Sequence, residues 1–161
     1  MVEIPLCGKR GVGLVTIVDD EDAPEVRRHH WRLHQHGYAY MRWPGGRKNV
    51  YVHTLLFGLT EREIDHINGT PLDNRRANLR PCTHRQNTWN MRSKPGSSQF
   101  KGVSWDAGRG RWRAALVLNG SQIFHARFAD ETAAALAYDA AALEYFGDFA
   151  RLNFPVLRET A

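Results

Sequence analysis

Between Pro71 and Asn78 the chain reads Pro-Leu-Asp-Asn-Arg-Arg-Ala-Asn, too rich in Asp, Asn and Arg to present an apolar face in either a helix or a strand. It must be a loop, and its neighbours say what it joins. Glu63-Ile-Asp-His-Ile67 has the length of a short strand, and the Asn68-Gly69 turn ends it. Leu79-Arg-Pro-Cys-Thr83 can return as the partner strand, with Pro81 marking an edge. His84-Arg-Gln-Asn-Thr-Trp-Asn-Met91 then predicts a helix, with Thr83 placed to cap it. The result is a ββα unit with few apolar residues of its own.

Upstream, Met1 to Leu59 is β-rich. Val12–Val18 predicts a strand broken by Asp19-Asp-Glu-Asp22, and Pro24 opens a short helix through Val26 to Trp31. Gly37–Trp43 and Lys48–His53 predict strands around a Pro44-Gly45-Gly46 hairpin turn, followed by a short apolar helix from His53 to Gly58. Downstream, Ser93-Lys-Pro-Gly-Ser-Ser98 has the composition of a linker. Phe100–Trp105, Arg111–Leu118 and Gln122–Phe128 predict three strands with turns at Ala107–Gly110 and Asn119-Gly120. Asp130 caps an alanine-rich helix from Thr132 to Tyr145, stopped by Gly147. The expected fold class is α+β: an N-terminal β-rich segment leading into the ββα unit, then a three-stranded antiparallel sheet packed on one helix. The expected domains are 1–92, with its motif core at 63–91, and 99–157, joined by a linker at 93–98.

Charge is segregated along the chain. Asp19, Asp20, Glu21, Asp22 and Glu25 form an acidic block, whereas Arg75, Arg76, Arg80, Arg85, Arg92 and Lys94 run from 75 to 94 without an acid. Lys101, Arg109, Arg111, Arg113 and Arg127 face Asp106 alone before a second acidic block from Asp130 to Asp148. With a net charge of +5, this pattern creates a one-sided positive field suited to a polyanion. Two cysteines are too few for a disulfide framework or a cysteine-rich zinc site. No apolar run is long enough for a bilayer, and the N-terminus lacks the basic start and apolar stretch of a signal peptide. The expectation is a soluble cytoplasmic, nucleoid-associated protein, not secreted, with double-stranded DNA as partner, no membrane and no obligatory protein partner.

Water cleaves a phosphodiester when it is activated by a base, when the phosphate charge is neutralised and when the leaving 3′-oxygen is stabilised. His66 has the chemistry of the base, and Asp65 and Asn87 offer oxygens to a hard divalent ion. His29, His30, His34 and His36 suggest a metal through the helical spacing of His30 and His34, but no carboxylate or cysteine matches them. A zinc site from His66, Cys82 and His84 is the bland alternative at the motif.

Asp65-His-Ile-Asn-Gly69, Asp73-Asn-Arg75, Asn78-Leu-Arg80 and Thr83-His-Arg-Gln-Asn87 resemble the HNH endonuclease motif in the subgroup of phage and homing endonucleases. Ile4-Pro-Leu, Val18–Asp22, Trp31, Gly37-Tyr-Ala-Tyr40 and Val52-His53 are similar to the segment that precedes it. The resemblance implies a ββα-metal fold in which His66 is the general base, Asp65 and Asn87 hold one divalent cation, and Asn78 orders the loop and the histidine. The cation would be Mg²⁺, with Mn²⁺ as substitute. No structural zinc is expected, because the paired Cys-x-x-Cys ligands of zinc-containing relatives are missing. Asp65 and His66 are strand neighbours that should face opposite ways, so the strand must bend or end there for both to serve one site.

Phe100-Lys-Gly-Val, Gly110-Arg-Trp-Arg-Ala, Phe128-Ala-Asp-Glu-Thr-Ala-Ala, Ala137-Tyr-Asp-Ala-Ala-Ala and Leu152-Asn-Phe-Pro155 resemble the plant ethylene-response-factor (Apetala-2 type) domain. That resemblance implies a sheet laid in the major groove. Alternation would turn Arg111, Arg113, Ala115 and Val117 to DNA and Trp112, Ala114, Leu116 and Leu118 to the helix, with Trp112 also reaching the DNA backbone from its edge. Ser104, Ala115, Val117, Gln122 and Phe124 depart from the plant pattern where bases are read, so its target sequence does not carry over. The residues expected to meet DNA are Arg75, Arg76, Arg80, Arg85, Arg92, Lys94, Lys101, Trp105, Arg109, Arg111, Trp112, Arg113 and Arg127. The expected function is a metal-dependent HNH endonuclease that nicks or cuts duplex DNA, targeted by its C-terminal domain. The alternative is a catalytically inactive DNA-binding regulator.

Overall fold

A computed structural model describes residues 1–43, 45–46, 48–58, 62–92 and 96–155. Two compact units divide the chain, Met1–Asn87 and Thr88–Ala161.

In the first unit, β1 (Val2–Pro5) pairs antiparallel with β2 (Val15–Val18). The expected strand from Val12 is shorter because Gly11 to Leu14 turn back toward Leu6. Pro24 opens α1, which covers Ala23–Val26 only. The expected helix to Trp31 stops early: Trp31 leaves the helix and drops its ring into the core, donating Nε1–H to Val26 O at 2.7 Å. His30 and His34 therefore share no helix face, since β3 (Arg32–Leu33) lies between them. β4 (Ala39–Arg42) is the centre of a sheet ordered β3-β4-β5, with β5 at Asn49–Tyr51, and α2 (Val52–Phe57) follows at once. Of the expected hairpin turn, Pro44 lies outside the described residues. Ile4, Leu6, Val18, Val26, Trp31, Met41 and Val52 form the core.

The motif stretch is β6 (Glu63–His66), β7 (Leu79–Cys82) and α3 (His84–Asn90). β6 and β7 pair antiparallel, with Glu63 opposite Cys82 and Asp65 opposite Arg80. Thr83 and Gln86 form a reciprocal cap on α3: Thr83 N donates to Gln86 Oε1 at 2.9 Å, and Gln86 N to Thr83 Oγ1 at 3.3 Å. The loop from 67 to 78 has one short 3₁₀ turn, Arg76–Asn78, and is anchored to the edge of β2. Ile17 N donates to Leu72 O and Asn74 N to Ile17 O, each at 2.8 Å. The N-terminal hairpin is thus the backbone partner of the motif loop.

In the second unit, β8 (Val103–Asp106), β9 (Arg111–Leu118) and β10 (Ser121–Phe128) form an antiparallel sheet ordered β10-β9-β8. α4 (Glu131–Phe146) packs on one face through Ala134, Ala135, Tyr138, Ala141 and Ala142, against Val103, Ala114 and Leu116. Asp130 caps it, accepting from Ala133 N at 2.7 Å. The second unit extends back past 98: Ser97 Oγ accepts from Trp105 N, and Ser98 Oγ donates to Glu131. Among the described residues no helix is long and apolar enough to cross a membrane.

Gly102 has φ +74°, and a methyl group there would overlap the ring of Tyr138. Gly110 has φ +59° in the same unit but open space around it. Gly102→Ala should cost about 2–5 kcal/mol, strain plus overpacking, while Gly110→Ala should cost only the backbone strain of about 1–2 kcal/mol. Thermal unfolding of the two variants followed by circular dichroism checks this.

Candidate active site

The site is built at the end of β6. His66 is the last strand residue, and Gly69 N returns to His66 O at 2.7 Å, so the chain turns immediately after it. His66 and Asp65 are both buried, at 5% and 4% exposure, which requires each to have partners.

Those of His66 are read from a chain of hydrogen bonds. Thr16 Oγ1 donates to Leu72 O at 2.9 Å, so its oxygen is the acceptor for Asn74 Nδ2 at 2.8 Å. That turns Asn74 Oδ1 toward His66 Nε2, 3.2 Å away. An amide oxygen only accepts, so Nε2 carries the proton and Nδ1 the lone pair of the neutral ring. Burial pushes the His66 pKa below its ordinary value, against the Asn74 hydrogen bond and the charges of Asp65 and Asp73, which pull it up. Its ring meets His53 edge to face at 5.2 Å and Tyr38 at 5.7 Å, and Tyr51 stacks on His53 at 5.5 Å.

Asn78, also buried, closes the loop: Nδ2 donates to Asp73 O at 2.7 Å, and Oδ1 accepts from Asn68 N at 2.9 Å. The Asp73 carboxylate takes Arg75 Nε at 2.7 Å, Arg75 Nη2 at 2.6 Å and Asn68 Nδ2 at 2.8 Å. The Arg75 hydrogen bonds hold its pKa below the usual carboxylate range, beyond what burial restores.

On β6, Glu63 and Asp65 are two residues apart and share a side. Arg80 donates both Nε (2.9 Å) and Nη2 (2.7 Å) to Asp65 Oδ2. Asn87 Nδ2 donates to Glu63 Oε2 at 2.7 Å, and His84 Nδ1 lies 2.7 Å from Glu63 Oε1. Asp65 and Asn87 both offer oxygens, which suits a hard divalent cation. Burial and the two carboxylates push the Cys82 thiol up to about 11, which keeps it protonated at neutral pH. The residues fit a hard ion, with Arg80 as the group that neutralises Asp65. Among the described residues no three of His, Cys, Asp and Glu group as metal ligands. A cavity of about 340 Å³ opens beside these groups, lined among others by Tyr38, Tyr51, His53, Glu63 and Asn87.

The arginines of the motif are engaged. Arg75 pairs with Asp73, Arg80 with Asp65, and Arg76 forks onto Asp22 at 2.8 and 2.7 Å while its backbone N donates to Asp19. Arg85 and Arg92 are exposed, and Lys94 lies outside the described residues. In the second unit Lys101 Nζ is directed to Trp89 O and Met91 O, and burial lowers its pKa to about 8. Arg111, Arg113, Ala115 and Val117 lie on the sheet face away from α4, in rows with Ser104, His125, Gln122 and Arg127. Arg127 pairs with Asp106 at 2.9 Å, Arg109 lies 3.6 Å from the same carboxylate, and Arg113 donates to Gln122. Arg113 Nε has no hydrogen-bond partner among the described residues. Trp105 is 44% exposed and meets Trp112 at 5.0 Å.

Sequence reasoning assigned no role to Thr16, Asn74, Glu63, Tyr38 or His53. Thr16 had a faint signal, a lone hydroxyl in an apolar run; Asn74, Tyr38 and His53 sat inside matched segments without a chemical task.

An HNH endonuclease family model matches residues 33–89. An uncharacterized HNH endonuclease of Acanthamoeba polyphaga mimivirus is 32% identical over 149 residues, 89% of this chain and 77% of the viral protein. Protein 3.8 of Escherichia phage T7 is 42% identical over 60 residues, 37% of this chain, and the match spans half the length of the phage protein. An AP2/ERF and B3 domain-containing protein of Oryza sativa subsp. japonica is 46% identical over 59 residues, 37% of this chain and 16% of the rice protein. No solved structure matches the chain significantly.

Burial and the neighbouring His66 push the His53 pKa down to about 4. An imidazole with a depressed folded pKa contributes stability that is complete above the unfolded value of about 6.5 and is lost as pH falls toward 4. The unfolding free energy should drop by about 3 kcal/mol over the whole window, about 2 kcal/mol of it between pH 7 and 5. His53→Phe, which keeps a ring but cannot titrate, should flatten the profile in urea titrations at pH 7, 6 and 5.

Proposed function

This chain belongs to the HNH endonuclease family, and we propose that it hydrolyses phosphodiester bonds of duplex DNA at His66 with one divalent cation, Mg²⁺ or Mn²⁺, held by Asp65 and Asn87. The observation that carries the reading is the buried, neutral His66 with its Nε2 proton given to Asn74 Oδ1, which leaves Nδ1 as the base. Nδ1 takes the proton from the attacking water, and Asp65 and Asp73 stabilise the imidazolium that forms. A divalent ion, when bound, neutralises the scissile phosphate and stabilises the leaving 3′-oxygen. Asn78 and Asn74 hold the loop and the ring so that the base need not reorganise. The Asp65–Arg80 pair favours the second reading, a DNA-binding regulator that does not cut, because an arginine already balances the carboxylate. Metal-dependent cleavage by the wild-type chain excludes that second reading.

His66→Ala should lower Mg²⁺-dependent cleavage of duplex DNA at least about 10²-fold, the scale of a lost general base, with DNA affinity in gel shifts unchanged. Equal cutting by the variant removes His66 as base.

Targeting by the second unit is part of the same proposal. The Arg111 and Arg113 face, the exposed Trp105 edge and the rice likeness support it. Sheet arginines that meet phosphates should set the salt dependence of binding. Arg111→Ala with Arg113→Ala in the full chain should weaken binding and reduce the slope of log affinity against log salt by about 2. An unchanged slope removes this face from the interface.

A further inference from the structure

We propose that Glu63 is a positioning residue for the metal end of the site, acting through the side-chain amide of Asn87. The proposal rests on the reading of Asn87 as a metal ligand. A side-chain amide has one end that accepts and one that donates, and only the oxygen can bind a hard cation. Left to itself, Asn87 could present either end. Glu63 Oε2 takes the amide nitrogen at 2.7 Å, and a carboxylate cannot donate in return. The oxygen is therefore the end turned away from Glu63.

The same carboxylate uses its other oxygen on His84 Nδ1, also at 2.7 Å. His84 and Asn87 are three residues apart on α3 and face the same way. One side chain of β6 thereby holds two side chains of the first turns of the helix. Glu63 and Asp65 lie on the same side of β6, so the latch brings the Asn87 amide to the side of the strand that carries the Asp65 carboxylate. Partners of metal ligands typically change affinity by about 10–100-fold when removed.

Calorimetric titration of Mn²⁺ into the full-length protein tests the proposal, well below the unfolding temperature of each variant. Glu63→Gln is isosteric and exposed, and its own amide lets Asn87 turn over; it should weaken Mn²⁺ binding at least about tenfold. His84→Ala removes the other half of the latch and should change affinity less than about threefold, below that range. Asn87→Ala should bind at least as weakly as Glu63→Gln, and the double variant no worse than Asn87→Ala alone, because both act through one group. In the metal-free protein, Glu63→Gln should also move the Asn87 side-chain amide resonances in a nitrogen–proton correlation spectrum. Wild-type affinity in Asn87→Ala overturns the ligand reading itself. A loss in Asn87→Ala with none in Glu63→Gln overturns the positioning role alone, as does an equal loss in His84→Ala and Glu63→Gln.

Discussion

Asp73 is the group on which the loop of the first unit depends. Its carboxylate receives the Arg75 guanidinium twice, the Arg75 backbone N–H once and Asn68 once, its carbonyl receives Asn78, and its backbone lies bridged beside Ile17 of β2. The loop from 67 to 78 contributes no residue to either hydrophobic core except Leu72 at the margin of the first. Hydrogen bonds to charged groups therefore do the work that apolar burial does elsewhere, and such bonds are worth roughly 1.5–3 kcal/mol each. Order in this loop is what turns Asn74 toward His66, so the tautomer of that histidine follows from the fold of a polar loop.

The same economy changes what the basic run means. Arg75, Arg76 and Arg80 each lie against a carboxylate from a distant or neighbouring segment, including Asp22 of the acidic block. Charges that are separate along the chain are neighbours in space. The acidic block at 19–22 is thus a structural partner of the motif loop, and the arginine density of the motif largely serves its architecture. Arg111, on the sheet of the second unit, is an exposed cation beyond that network.

The elements with clear periodicity or punctuation were readable in the amino-acid order. Arg111–Leu118 alternates cleanly and becomes β9 over those residues, and Asp130 and Gly147 bound α4 as helix caps do. The four positions Asp65, His66, Asn78 and Asn87 stand out in the sequence through the family motif they resemble. What organises them does not. Thr16 lies 58 residues from Asn74, and no local rule connects a hydroxyl in one hairpin to an amide in another. Trp31 ends α1 early because a buried indole outweighs a few tenths of a kcal/mol of helix propensity, a tertiary effect that local reading does not see.

Asn68-Gly69 carries a consequence for the chemical lifetime of the molecule. An asparagine before glycine ages by attack of the glycine nitrogen on the side-chain amide carbon, which expels ammonia and closes a succinimide that water then opens to a carboxylate. In the folded chain that nitrogen is donated to His66 O, and the amide nitrogen is held by Asp73. The turn that ends β6 therefore also protects its own covalent integrity. Once unfolded, the same step has no such shield, and the aspartate it leaves would return to face Asp73, charge against charge.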